Sequence, residues 1–367
     1  MQQIVHVVGA RPNFMKAAPV LAALQRKPNV RQLLVHTGQH YDASMSDVFF
    51  QQLGMPHPDV NLEVGSGSHA VQTAHVMMRF EEFVQAQRPD LVLVYGDINS
   101  TVAAALVCAK LHIPVGHVEA GLRSFDRTMP EEINRLMTDQ IANVLFTPSE
   151  DGDVNLLREG IAREKIHMVG NVMIDTLVRL LPQAEDGWPA LRQRLQLEAQ
   201  AGAVQPYMLV TLHRPSNVDH PEMLGAIART LDDLAAQIPV IFPVHPRTRQ
   251  RLQSLGIELR NPQLRLIDPV GYLDFLALQR YATLVVTDSG GIQEETTFLG
   301  VPCLTVRENT ERPITVAIGT NKLVGQDMDL LRGEASRILE SGVADGGIPP
   351  LWDGHASERI ADLVVQL

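Results

Sequence analysis

Short, almost wholly apolar runs separated by helix-length segments limit what this chain can fold into. "QIVHVVG", "DLVLVYGD" and "IPVGHVE" in the first half, and "YMLVTLH", "IPVIFPVHP" and "TLVVTDSGG" in the second, lack the apolar–polar alternation of a strand with one wet face. Strands buried on both faces belong to parallel sheets covered by helices on either side. "QLLVHTG", "VLFTPS", "IHMVGN", "LRLIDPV" and "VPCLTVR" read as further strands. The segments between read as helices: Pro12 to Gln25, "HAVQTAHVMMRFEEFVQAQ", the alanine-rich "NSTVAAALVCAKLH", "PEMLGAIARTLDDLAAQ", "YLDFLALQRYA", and "IQEETTFLG" from near Ile292.

The chain has 367 residues, which favours two domains. Leu180 to Pro206, "LLPQAEDGWPALRQRLQLEAQAGAVQP", carries three prolines, mixed polarity and no strand, so the boundary is expected near residues 170–206. The tail "SERIADLVVQL" puts Ile360, Leu363, Val364 and Leu367 on one helical face and is expected to return to the first domain. The expected division is therefore 1–172 with a returning helix at 355–367, and 173–354. The class is α/β: two Rossmann-like, doubly wound domains facing across a cleft, with ligands outside the carboxyl ends of the strands.

A net charge of −11 and a pI near 5.6 argue against a nucleic-acid partner. They do not exclude an anionic ligand, because backbone N–H groups and a few arginines bind phosphate locally. Cys108 and Cys303 lie among apolar residues and read as buried reduced thiols, with neither a disulfide framework nor zinc spacing. The opening "MQQIVHVVGARPNF" is a strand without a basic region ahead of it, which is not a signal peptide. No apolar run approaches about 18 residues. A soluble cytoplasmic protein without membrane attachment is expected.

The charged motifs follow strands. In "VVTDSGGIQEE", Asp288 ends a strand, and Ser289-Gly290-Gly291 turns into a helix whose free N–H groups and dipole suit a diphosphate. An ordinary turn with Ser289 as N-cap is the plain alternative. Glu294 and Glu295 fall in the first helical turn, and one of them could instead grip ribose hydroxyls. "GARPNFMK" is no dinucleotide fingerprint, but it sets Arg11 and Lys16 around a strand–helix turn, where they suit an anion. His213 in "LHRP" and His245 in "FPVHPRT" stand at strand ends, without metal-ligand spacing. Asp97 in "YGDINST" could be a helix cap. With Glu119 and Glu131 of "HVEAGLRSFDRTMPEEINR" it arrives from one sheet edge, and clustered carboxylates can divide into acid and base. Arg123 and Arg135 would keep other carboxylates ionised; Asp126, Arg127 and Glu132 read as solvated or structural. These features point to an enzyme acting on a nucleoside diphosphate–linked molecule without a redox cofactor. A nucleotide-binding regulatory module would need the glycine turn but not three converging carboxylates.

"GARPNFMK", "TGQHYD", "VYGDINST", "GHVEAGLRS", "MPEEINR", "VTLHRPSN", "PVHPRT", "TDSGGIQEE" and "NTERP", in order from about residue 4 to 325, resemble the non-hydrolysing UDP-N-acetylglucosamine 2-epimerases. The resemblance implies a GT-B-like fold, a homodimer, and no metal or NAD. It implies interconversion of UDP-GlcNAc and UDP-ManNAc for cell-surface polysaccharide, by loss and re-addition of UDP through a 2-acetamidoglucal. It implies that Asp97, Glu119 and Glu131 are the acid/base group, with Arg135 in support and His213 assisting at the diphosphate, where Arg11 also serves. Lys16, His245, Ser289, Gly290, Gly291, Glu295 and Arg312 match nucleotide or diphosphate positions. Members regulated by their own substrate have a second pocket; Gln39 is kept there, whereas Asp42 and Ser68 replace larger amide or basic groups. "VHTGQHYDASMSDVFF" and "LRSFDRTMPEEINR" also resemble a branch acting on UDP-2,3-diacetamido-glucuronic acid, while "NTERP" looks like the UDP-GlcNAc branch.

Overall fold

The computed structural model describes residues 1–39, 50, 52–198, 204–342 and 346–367. His40, Tyr41 and Asp42 of the "TGQHYD" motif lie outside them. The chain divides into two compact units, Met1–Thr176 with Pro350–Leu367, and Leu177–Pro349.

The first unit holds strands β1 (Gln2–Val8), β2 (Val30–His36), β3 (Val60–Asn61), β4 (Leu91–Tyr95), β5 (Val115–Val118), β6 (Val144–Thr147) and β7 (Ile166–Met168). They are all parallel, in the order β3-β2-β1-β4-β5-β6-β7. Its helices are α1 (Arg11–Gln25), α2 (His69–Gln87), α3 (Asn99–Lys110), α4 (Pro130–Ile141), α5 (Glu150–Arg158), the start of α6 (Val172–Arg194), and a last helix near the C-terminus. Ile4, Val5, Val92, Val94, Val115 and Leu145 are fully buried, as the unbroken apolar strands require. Two polar groups share that interior. His6 Nδ1 lies 2.6 Å from the Tyr95 hydroxyl, and both side chains are wholly buried.

The second unit repeats the plan with β8 (Met208–Thr211), β9 (Val240–Pro243), β10 (Leu264–Ile267), β11 (Leu284–Thr287), β12 (Cys303–Thr305) and β13 (Asn321–Leu323). The order is β10-β9-β8-β11-β12-β13, again all parallel. Its helices are α7 (Pro215–Val218), α8 (Pro221–Leu234), α9 (Pro246–Ser254), α10 (Tyr272–Tyr281), α11 (Gly290–Leu299), α12 (Ile314–Ala317) and α13 (Met328–Ser341). Both sheets reverse winding beside their first strand, between β1 and β4 and between β8 and β11. A doubly wound sheet opens its ligand crevice at that place. Among the described residues no helix is long and apolar enough to cross a membrane.

Several expectations need correction. Most of the segment from Leu180 is helix, and α6 runs through Pro182 and Pro189. Trp188 anchors it, 96% of its surface lost to stacking on Tyr281 (centroids 4.5 Å apart) and to the neighbouring core. β3 and β13 went unread because strands of two and three residues carry too little pattern, and helices α4, α5, α9 and α13 were not read either. The tail helix, α14 (Ala356–Val364), buries Ala356, Ile360, Ala361 and Val364, whereas Leu367 is 63% exposed beyond the helix end. This helix packs in the first unit against α1; the Gln2 side-chain amide donates to Val364 O (3.2 Å), and Arg26 pairs with Glu358 (3.0 Å). Asp175 of α6 caps it, accepting the backbone N–H groups of Ala356 (3.1 Å) and Ser357 (2.7 Å).

Candidate active site

In the first unit the switch point gathers the predicted carboxylates from three elements. Asp97 follows β4, Glu119 follows β5, and Glu131 opens α4. Asp97 and Glu131 line one pocket of about 270 Å³ with Gln39, Gln72, Asn99 and Asn134. The cap alternative for Asp97 does not hold: α3 starts from Ile98 without a side-chain cap, and the Asp97 carboxylate instead accepts Arg135 Nη2 (2.8 Å) and Nε (3.0 Å). Arg135 reaches on to Glu132 (2.5 Å), which also accepts the backbone N–H groups of Ser124 (3.0 Å) and Phe125 (2.9 Å). Glu132 thereby ties the 119–129 loop to α4, a structural role.

Glu119 is not in the lining of this pocket. It is buried and ion-paired with Lys16, itself 5% exposed. The same lysine nitrogen would be 2.7 Å from a Cβ added at Gly96, and the Glu119 carboxylate 3.2 Å, so both groups crowd the residue before Asp97. Arg11 is exposed at the start of α1.

Behind these groups is a network of which the sequence indicated one member, Arg123 as a partner of carboxylates, and missed the rest. His117, wholly buried, sets Nδ1 2.6 Å from Asp139 Oδ1 and Nε2 2.8 Å from the carbonyl of Gly96. Asp139 also pairs with Arg123 (2.7 Å), and Arg123 forks onto Glu159 (2.8 and 2.7 Å). Burial would raise the Asp139 carboxyl, but His117 and the Arg123 guanidinium outweigh it and hold it below the ordinary carboxylate range. An oxygen faces each ring nitrogen, so the imidazole is fixed from both sides. One signal was available. Glu132, Arg135 and Asp139 recur at three- and four-residue spacing along α4, which marks one helical face.

In the second unit the turn after β11 enters α11 at Gly290, two residues earlier than Ile292. Both glycines therefore fall within the first helical turn, and Glu294 and Glu295 lie beyond it, buried rather than drawn there by the helix dipole. Ser289 stands at the N-cap position but its hydroxyl makes no capping hydrogen bond. Glu295 accepts Gln279 Nε2 (2.6 Å) and the Tyr272 hydroxyl (3.0 Å), and burial raises its carboxyl above the usual range. Glu294 pairs with Arg312 Nε (2.9 Å), whose Nη1 meets Glu311 (2.6 Å). That arginine packs on Gly290, where an added Cβ would strike its guanidinium and lie 2.8 Å from Glu311 Oε1. His213 follows β8, largely exposed, with Nδ1 3.1 Å from Asp288. His245 is the exposed N-cap of α9 and accepts the Arg247 N–H (3.3 Å). Among the described residues, no group of three or more His, Cys, Asp or Glu side chains is placed to hold a metal ion.

Two parallel doubly wound sheets, each with polar groups at its switch point, define an α/β enzyme of the GT-B-like plan. The family model for UDP-N-acetylglucosamine 2-epimerase matches residues 22–365. A UDP-N-acetylglucosamine 2-epimerase of Methanococcus maripaludis is 41% identical, over 99% of this chain and 98% of that one. A UDP-2,3-diacetamido-2,3-dideoxy-D-glucuronate 2-epimerase of Pseudomonas aeruginosa is 42% identical over the whole of both. The crystal structure of Methanocaldococcus jannaschii UDP-GlcNAc 2-epimerase in complex with UDP-GlcNAc and UDP superposes with a TM-score of 0.89 at 40% identity, covering both chains completely. The chain belongs to the UDP-N-acetylglucosamine 2-epimerase family.

Proposed function

We propose that this chain is a cytoplasmic isomerase that interconverts UDP-N-acetylglucosamine and UDP-N-acetylmannosamine at C2, supplying cell-surface polysaccharide. The observation that carries the proposal is the pair Asp97 and Glu131 on one pocket, with the Glu119 carboxylate beside Gly96, the residue before Asp97, at the ligand edge of a doubly wound sheet. The C2 proton is not acidic, so direct abstraction to a carbanion is too costly. Elimination avoids it. A carboxylate takes the C2 proton, the C2–H pair becomes the C1=C2 bond, and the C1–O bond breaks with its pair going to the diphosphate oxygen. UDP and a 2-acetamidoglucal result. Return of a proton to the opposite face of C2 and re-addition of UDP give the epimer.

Asp97, Glu119 and Glu131 serve the proton transfers, and Arg135 keeps Asp97 ionised. Ser289, Gly290, Gly291, Arg11, Lys16, His245 and Arg312 serve the nucleotide or its diphosphate, Glu295 the nucleoside, and His213 the leaving oxygen. Lys16 additionally compensates Glu119.

Incubation with UDP-GlcNAc in D2O tests the chemistry. NMR should show deuterium at C2 of both epimers and slow release of free UDP. Retention of the original C2 proton would sink the elimination mechanism. Absence of turnover and exchange would favour a UDP-sugar-binding regulatory module.

The Pseudomonas relative supports a second reading, C2 epimerisation of UDP-2,3-diacetamido-2,3-dideoxy-glucuronic acid. The pocket lining contains two carboxylates and, among the described residues, neither lysine nor arginine, which favours the uncharged sugar. Side-by-side kcat/KM values on the two substrates decide between them. A homodimer fits the family resemblance and the outer face of α4, where Ile133 and Met137 are exposed.

A further inference from the structure

Asp288 is the residue between β11 and the Ser289–Gly291 turn, and it is wholly buried. Its carboxylate collects a set of donors from the loop after the neighbouring strand β8 and from the short helix α7 that follows it. It accepts the backbone N–H of His213 (3.1 and 3.2 Å), the backbone N–H of Arg214 (2.9 Å) and Asn217 Nδ2 (3.0 Å). Its Oδ1 also lies 3.1 Å from His213 Nδ1. Its own carbonyl accepts Arg214 Nε (3.1 Å). Burial alone would raise this carboxyl, but the hydrogen bond and charge of His213, with the Arg214 and Asn217 donors, outweigh it and favour the carboxylate.

This is more than a loop needs. One carboxylate fixes the backbone of the histidine, faces its ring nitrogen, and begins the turn assigned to the diphosphate. We propose that Asp288 is the positioning residue of His213, holding the imidazole with its proton on Nδ1 so that Nε2 is the atom presented to the leaving diphosphate oxygen. This rests on the assignment of His213 to that oxygen.

The chemistry follows from the ring's two nitrogens. A carboxylate acceptor at Nδ1 selects the tautomer and steadies the charge when the ring is protonated. His213 is largely exposed while Asp288 is not, so the ring meets the ligand and the aspartate does not. As the C1–O bond breaks, the diphosphate oxygen gains the electron pair, and the ring in its protonated form, with Nδ1–H on Asp288 and a second proton on Nε2, donates a hydrogen bond from Nε2 to that oxygen. Re-addition reverses the change, and no proton is consumed in the cycle.

The full-length chain with 15N-labelled histidine tests the pairing directly. In the neutral ring of His213, NMR should find the proton on Nδ1 and the lone pair on Nε2. A proton on Nε2 instead would overturn the proposal. This readout needs no turnover, so it decides the Asp288 pairing even if the chain epimerises neither candidate sugar. Kinetics give the second arm. Asp288→Asn should lower kcat by about 10²-fold with KM changed by less than about threefold, while in a His213→Asn background the same substitution should cost less than about threefold, because groups acting as a unit are non-additive. Equal losses in both backgrounds would make Asp288 a structural tie and overturn its action through His213.

Discussion

Glu119 has a φ of 72°, in the left-handed region that a residue with a Cβ seldom occupies. Such strain persists only where surrounding contacts over-determine it, and it gathers at functional sites. Here the contacts are on either side. His117 is clamped between Asp139 and Gly96, and Gly121 (φ 82°) is pressed so closely on α5 that an added Cβ would be 2.5 Å from Gly152 O. The backbone therefore presents the Glu119 carboxylate to Lys16 from a fixed position. Asp97→Asn, Glu119→Gln and Glu131→Gln keep side-chain size and remove the titrating group. Each should lower kcat by roughly 10²–10⁴-fold. UDP affinity by calorimetry should change less than about tenfold, or 1.4 kcal/mol, because these groups act at the sugar. Double variants should lose less than the product of the singles. Near-full kcat in any one variant would return that residue to a structural role. Glu119 is the informative case, since its amide also leaves Lys16 without its counter-charge.

Among the elements, α4 is inside out. It buries Glu132, Arg135 and Asp139 and shows Ile133 and Met137 to the outside. That explains how much of the site was legible. The strand ends and the glycine turn were readable because doubly wound sheets place ligands there, and apolar strands announce the sheets. Of the supporting charges, Arg123 and Arg135 were readable as partners of carboxylates, but the buried Asp139 was not, because it has no local signature and only His117 and Arg123, well before it in the chain, offset its burial. β1 offers the complementary lesson, since His6 is a polar residue hidden in an apolar run. Burial lowers its pKa to about 3 from the ordinary 6.5, and burial lowers His36 as well. As pH falls below 6.5, the unfolded chain takes up a proton that the folded one refuses. Stability is therefore full above that value and declines by up to about 1.4 kcal/mol per pH unit for each such group, down towards its folded pKa. Urea midpoints should drop between pH 6.5 and 4.5, and His6→Gln should flatten part of that drop. An unchanged slope in the variant would assign the acid sensitivity to other groups.

For the whole molecule, the proposed dimer makes one further demand. If a second copy covers the outer face of α4, then a charge placed there must disfavour association. Met137→Glu, at a side chain 45% exposed in the single chain, should shift the light-scattering mass from two chains towards one with the circular dichroism unchanged. A native protein that is already monomeric would remove the dimer. The division of the chain has a different consequence, set in time rather than space. The first unit is finished by residues 350–367: Trp352, whose indole N–H donates to Pro148 O (2.9 Å), and α14, capped by Asp175. All of the second unit is synthesised before them. At about 5–20 residues per second, the gap lasts on the order of ten to thirty seconds on the ribosome. During that interval the bed of α14 on α1 and the socket of Trp352 stand open to chaperones and proteases. The half of the chain made first is thus the half that can be completed last.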